Sequence, residues 1–168
     1  MRYHQITTDD MNNGEGLRTV LWVAGCNHHC LKCQNPLTWD PNDGLLFDEN
    51  AIHELERNLS KDYISGLTIS GGDPFYLNNR KEIAELLFHI KSNYYNKSIW
   101  LYTGYTWEEI YADNSMKKSL PFIDVLIDGE FKFDLADINY HWAGSTNQRV
   151  IDVQKSLDEG RIILYENH

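Results

Sequence analysis

Short apolar runs of strand length alternate along this chain with stretches of helical period, and that alternation restricts the fold to a small set of architectures. Residues 18–24, apolar and β-branched, lie between Gly16 and Gly25 and read as a buried strand. Ile52, Leu55 and Leu59 then recur at helical spacing behind Asp48, a suitable N-cap, so a helix is expected over 48–59. A second strand is expected at 66–70 and a second helix from Asn79 to about Tyr94. Its apolar face is Ile83, Leu86, Leu87 and Ile90, and Asn79 with Glu82 matches a capping box. Residues 98–102 read as a strand, Thr106 and Glu109 as the capping box of a third helix running to about Lys118, 121–127 as a strand and 161–165 as a last one. Strand–helix alternation of this kind builds an α/β fold with a mostly parallel sheet. The 168 residues are read as a single domain, 1–168, with residues 34–47 and 128–160 irregular.

Charge narrows the function classes. Fifteen Lys and Arg against 25 Asp and Glu leave a net charge of -10, which speaks against binding a phosphate backbone, since that affinity rests on clustered cations. No nucleic-acid partner is expected. No apolar run approaches the roughly 20 residues that cross a bilayer, so no membrane partner is expected either. The first residues, Met1 to Gln5, lack the apolar core of a secretory signal, and a cytoplasmic protein is expected.

The chain holds three cysteines, all within eight residues: Cys26, Cys30 and Cys33, directly after the first expected strand. An odd number cannot all pair as disulfides within the chain, and a reducing compartment keeps such thiols free. Clustered thiolates suit a soft metal centre. A Cys3His zinc site with His28 or His29 as fourth ligand is one reading, making the chain a zinc-binding interaction module. An iron–sulfur cubane held by three thiolates, with one iron left open to a ligand, is another.

Further polar or glycine-rich clusters follow the other expected strands: Ser70-Gly71-Gly72-Asp73-Pro74, Thr103-Gly104-Tyr105 and Asp128-Gly129-Glu130. In a parallel sheet those strand ends share one edge, where α/β folds place their sites. The cysteines, Asp73, Thr103 and Asp128 are therefore expected to converge. Paired glycines such as Gly71 and Gly72 let backbone approach a ligand closely.

The C-x3-C-x2-C loop resembles the signature of the radical S-adenosylmethionine (SAM) superfamily, and Gly71, Gly72 and Asp73 resemble its glycine-rich motif. Asp73 stands where many members carry Glu, and Lys32 where an aromatic residue often precedes the last cysteine. Asn13-Gly14-Glu15-Gly16-Leu17-Arg18, Asn35 after Cys33, and Gly144 to Arg149 narrow the likeness to glycyl-radical-enzyme activases, in particular those of the anaerobic ribonucleoside-triphosphate reductase. The resemblance implies a partial, splayed radical-SAM (β/α) barrel and a [4Fe-4S] cluster on Cys26, Cys30 and Cys33, whose open iron takes SAM. It implies that Gly71, Gly72 and Asp73 hold the SAM amino group, that Thr103, Gly104 and Asp128 are further SAM contacts, and that Cys26, Cys30, Cys33 and Asp73 carry catalysis. Reductive SAM cleavage would yield a 5′-deoxyadenosyl radical that takes hydrogen from a glycine of the large reductase subunit, with flavodoxin or ferredoxin as electron donor. An activase of the pyruvate formate-lyase type, or a radical SAM enzyme acting on a small molecule, is the alternative. Arg18 reads either as a carboxylate partner or as a surface residue, and Tyr140 to Trp142 as aromatic interface residues.

Overall fold

The computed structural model describes residues 1–166. Seven strands form one sheet in the order β3-β1-β2-β4-β5-β6-β7. At its centre β2 (Leu17–Val23), β4 (Ile64–Gly71), β5 (Ser98–Tyr102) and β6 (Val125–Asp128) run parallel. Antiparallel strands flank them: β1 (Arg2–Asp10) and β3 (Leu45–Leu46) beside β2, and β7 (Arg149–Asp152) beside β6. The four expected central strands are therefore present and parallel, but both sides of the sheet are antiparallel additions.

Strand parity divides the sheet into two unlike faces. Leu21, Val23, Leu67, Ile69, Ile99, Leu101, Leu126 and Ile151 share one buried cluster with Leu55 and Leu59 of α1 (Glu49–Leu59), Ile83, Leu87 and Ile90 of α2 (Arg80–Asn93) and Ile110 of α3 (Trp107–Ala112). Val20, Thr68, Trp100 and Val125 form one register row on the opposite face. That face carries a smaller cluster of Trp100, Val125, Ile127 and Val150, capped by Trp142, Ala143 and Tyr165 rather than by a helix. Helices thus cover one face, and the other is left for a cavity.

Helix starts follow their local chemistry. Asp48 accepts hydrogen bonds from the Asn50 and Ala51 amides, and Thr106 with Glu109 makes the full reciprocal box. The expected box at Asn79 does not form. The Asn79 amide instead donates to the carbonyls of Ala24 and Asp73, and Glu82 pairs with the Met1 amino group. The third helix also stops early: Asp113 is extended, caps Ser115 and starts the separate α4 (Asn114–Lys117). Leu120–Phe122 forms a 3-10 turn before β6, where a strand was expected to begin.

The expected strand at 161–165 is reduced to one bridge, Ile151 with Leu164. It lies against β7, which with α5 (Val153–Glu159) occupies part of the stretch expected to be irregular. Arg18 is neither on the surface nor paired with a carboxylate. It is fully buried at the start of β2, donating to Thr68 Oγ1, to the carbonyls of Glu15, Leu67 and Ser98, and to Ser98 Oγ, with its guanidinium over the Trp100 ring. Burial lowers its pKa to about 10, only partly offset by nearby acidic groups. Among the described residues no helix is long and apolar enough to cross a membrane.

Candidate functional site

The C-terminal ends of the parallel strands open onto a cavity of about 950 Å³. Cys26, Cys30 and Cys33 line it from the loop after β2, Ser70 to Asp73 from the exit of β4, Thr103 and Gly104 from β5, and Gly129 from β6. Trp22 and Tyr102 reach it from the helix-free face of the sheet. The opposite wall is the segment 136–144 with Gln148.

The cysteine loop and the glycine loop are joined at their roots. Gly72 N–H donates to the Val23 carbonyl and Asp73 N–H to the Gly25 carbonyl, while Gly25 and Cys26 donate to the carbonyls of Thr38 and Trp39. Glycine is required at both paired positions. Gly71 has φ +102°, and a Cβ there would lie 2.7 Å from the Val23 carbonyl oxygen. A Cβ on Gly72 would lie 2.5 Å from the Gly25 oxygen. No larger residue lets the two loops lie this close.

Asp73 is 1% exposed and its carboxylate is surrounded by this chain's own donors. It accepts from Phe75 N–H at 2.7 Å, Thr103 Oγ1 at 2.8 Å and Gly104 N–H at 2.9 Å. His28 Nε2 approaches to 2.9 Å, close enough for an ion pair though angled away from hydrogen-bond alignment. His28 Nδ1 faces Glu130 Oε1 at 2.8 Å. Burial disfavours the charged imidazole, but the two carboxylates outweigh it and bring its pKa up to about 9.

Asp128 does not line this cavity. Its buried carboxylate accepts from Trp107 N–H and from Arg149, which also grips Glu108, so it ties β6 to the start of α3 and to β7. Gln148 works similarly on the facing wall. Its Oε1 accepts from the amides of Gly144 and Ser145, and its Nε2 donates to the Gly129 carbonyl. Tyr140 donates to the Gln148 carbonyl, and Trp142 stands edge-on to Trp100, so these aromatics build the cavity wall rather than an outer stripe.

The three thiols are free and half-buried. Burial pushes Cys26 up to about 11, and Cys30 is raised for the same reason. A bound metal would displace those protons. Among the described residues no three His, Cys, Asp or Glu side chains already close round a single ion. Three thiols on one cavity wall suit an iron–sulfur cluster, whose irons each take one thiolate. The histidines considered as a fourth ligand are otherwise engaged: His28 between two carboxylates, and His29 against the Trp39 ring at 4.6 Å. Lys32 sits over the Phe133 ring, with 3.9 Å from Nζ to the centroid.

Pattern reading from the strand ends brought the cysteines, Gly71 to Asp73, Thr103 and Gly104 to one place. It missed Trp22, Tyr102 and the 136–144 wall. Strand parity would have found the first two, since Val20 and Trp100 share their face; the wall has no local periodicity to betray it.

Comparison with known proteins shows which family the chain resembles. Residues 12–151 match the family described as 4Fe-4S single cluster domain. The chain is 44% identical over 150 residues to the anaerobic ribonucleoside-triphosphate reductase-activating protein of Enterobacteria phage T4, covering 89% of this chain and 93% of that one. The proteins of the same name from Pasteurella multocida and Escherichia coli K12 are 41% and 38% identical, covering 88% and 89% of this chain and 95% and 97% of theirs.

Proposed function

The chain belongs to the family of anaerobic ribonucleoside-triphosphate reductase-activating proteins, which carry a 4Fe-4S domain, and from that membership we propose that it activates such a reductase by radical SAM chemistry. Cys26, Cys30 and Cys33 hold a [4Fe-4S] cluster with one iron open to SAM. Gly71 and Gly72 bring backbone against the SAM amino group, and Asp73 holds that loop in place through Phe75, Thr103 and Gly104. Thr103 and Gly104 complete that side of the cavity, while Asp128 acts from behind through Arg149 and Trp107. When bound, a reduced cluster would supply the one electron that splits a C–S bond of the SAM sulfonium into methionine and a 5′-deoxyadenosyl radical, which would take hydrogen from a glycine of the large reductase subunit. The chain's own residues position SAM, exclude water and leave an opening for the partner's glycine segment.

On this reading the sheet is a splayed part of a (β/α) barrel, with helices outside and the cavity on the inner face, and residues 1–168 act as a single domain. The large reductase subunit is the protein substrate. Flavodoxin or ferredoxin donates the electron, and the reaction runs in the cytoplasm. One observation carries the proposal: three free thiols and a glycine loop that tolerates no Cβ line the same cavity at the exit edge of four parallel strands. Anaerobic purification should give brown protein with about four irons per chain, forming 5′-deoxyadenosine from SAM on reduction. Colourless protein holding one zinc would overturn the proposal.

A further inference from the structure

We propose that His28 is a positioning residue that locks the tip of the cysteine loop to the glycine loop, and that Gly104 is glycine to admit its imidazole. The inference rests on the SAM reading above and deepens it. His28 lies between Cys26 and Cys30, with its side chain only 12% exposed. Its ring meets the exits of the other three parallel strands: Asp73 after β4 at 2.9 Å, Tyr105 after β5, edge-on with 4.7 Å between centroids, and Glu130 after β6 at 2.8 Å.

Gly104 supplies the independent observation. Its backbone does not lie in the left-handed region, so conformation alone does not call for glycine there. A Cβ would lie 2.5 Å from His28 Cδ2 and 2.7 Å from Cγ and Nε2. The ring could escape only by leaving Asp73 and Glu130. Gly104 also donates its N–H to Asp73, so its amide holds the carboxylate while its bare Cα makes room for the ring that faces it.

The geometric consequence follows. Backbone bonds from Gly72 and Asp73 fix the root of the cysteine loop, but they stop at Gly25. Beyond it, His28 is the side chain that sets the thiols at a fixed offset from Gly71 and Gly72. That offset is the one the cluster and the SAM amino seat must share. Partners that orient metal ligands in this way are typically worth about 10–100-fold in affinity or activity.

The test is a double-mutant cycle on the full chain: His28→Ala, Gly104→Ala, both together, and His28→Gln. Iron content, SAM dissociation constant, and the electron paramagnetic resonance (EPR) spectrum of the reduced cluster with and without SAM are read on each. The expected result for His28→Ala is near-normal iron, an unchanged spectrum without SAM, and SAM binding weakened about 10–100-fold with a diminished SAM-induced spectral change. His28→Gln should recover part of that loss. Gly104→Ala should reproduce the loss in the parent chain yet add little once His28 is gone. Equal SAM affinity in His28→Ala and the parent, or a Gly104→Ala cost that is the same with and without His28, would overturn the inference. A parent protein whose spectrum ignores SAM overturns the SAM reading instead. In that case, or if a variant fails to hold iron, thermal unfolding of the cluster-free parent, the two single alanine variants and their double decides. Non-additive shifts between positions 28 and 104 uphold the lock, and additive shifts refute it.

Discussion

Substituting Gly72→Ala should separate cluster binding from SAM chemistry. The added methyl would stand 2.5 Å from the Gly25 oxygen, 2.8 Å from the Thr38 oxygen and 3.0 Å from the Gly25 carbonyl carbon. All three are backbone atoms, so no side chain can swing aside. Restoring ordinary contact near 3.4 Å requires the cysteine loop and the glycine loop to part by about 0.9 Å. Overpacking of this kind costs about 1–3 kcal/mol, a fall of several degrees in Tm for a domain of this size. The larger effect is on geometry: a displacement near 1 Å at a reacting centre typically costs about 100-fold in rate. The cysteines themselves are untouched, so iron content should stay close to that of the parent. The assay is iron content beside the rate of 5′-deoxyadenosine formation under chemical reduction. Gly160→Ala is the control, since Gly160 has φ +66° but nothing within 4 Å of its Cβ position; it should lose stability and keep activity. Cleavage by Gly72→Ala within about threefold of the parent would refute the idea that this contact sets the working distance.

Three further outcomes are expected. Arg18→Ala removes a fully buried guanidinium and five hydrogen bonds; it should cost about 3–5 kcal/mol in urea unfolding of the cluster-free protein, and a loss below about 1 kcal/mol would contradict the packing described. Cys30→Ala should abolish the brown colour and the iron while leaving the cluster-free Tm nearly unchanged, because that side chain is half-buried and not part of the apolar core. Thr106→Ala breaks a complete capping box and should lower stability by about 1 kcal/mol, measured by thermal unfolding.

The central strands were legible because each is a dense apolar run between turn residues, and burial on both faces demands that pattern. β1 was not. Its sequence, RYHQITTDD, has Tyr3 as its one buried side chain and is held by backbone pairing to β2 and β3, which leaves no hydrophobic period to read. β7 and α5 were missed because they are four and seven residues long, too short for periodicity, although Asp152 as N-cap and Gly160 in the left-handed region mark the helix ends. The false box at Asn79 has a tertiary cause. The local pattern was present, but the Ala24 and Asp73 carbonyls competed for the same amide. In the site, sequence could place residues at strand ends but not say which way carboxylates turn. Asp73 and Asp128 stand at equivalent exits, yet one lines the cavity and the other turns away to Trp107 and Arg149.

The most direct measurement is the EPR spectrum of the large subunit of an anaerobic ribonucleoside-triphosphate reductase after anaerobic incubation with this protein, SAM and a reductant. A glycyl-radical doublet on the reductase, absent when SAM or Cys30 is removed, is the expected result. No doublet from a protein that holds its cluster and cleaves SAM would contradict the proposed activation and direct the same chemistry toward a small molecule.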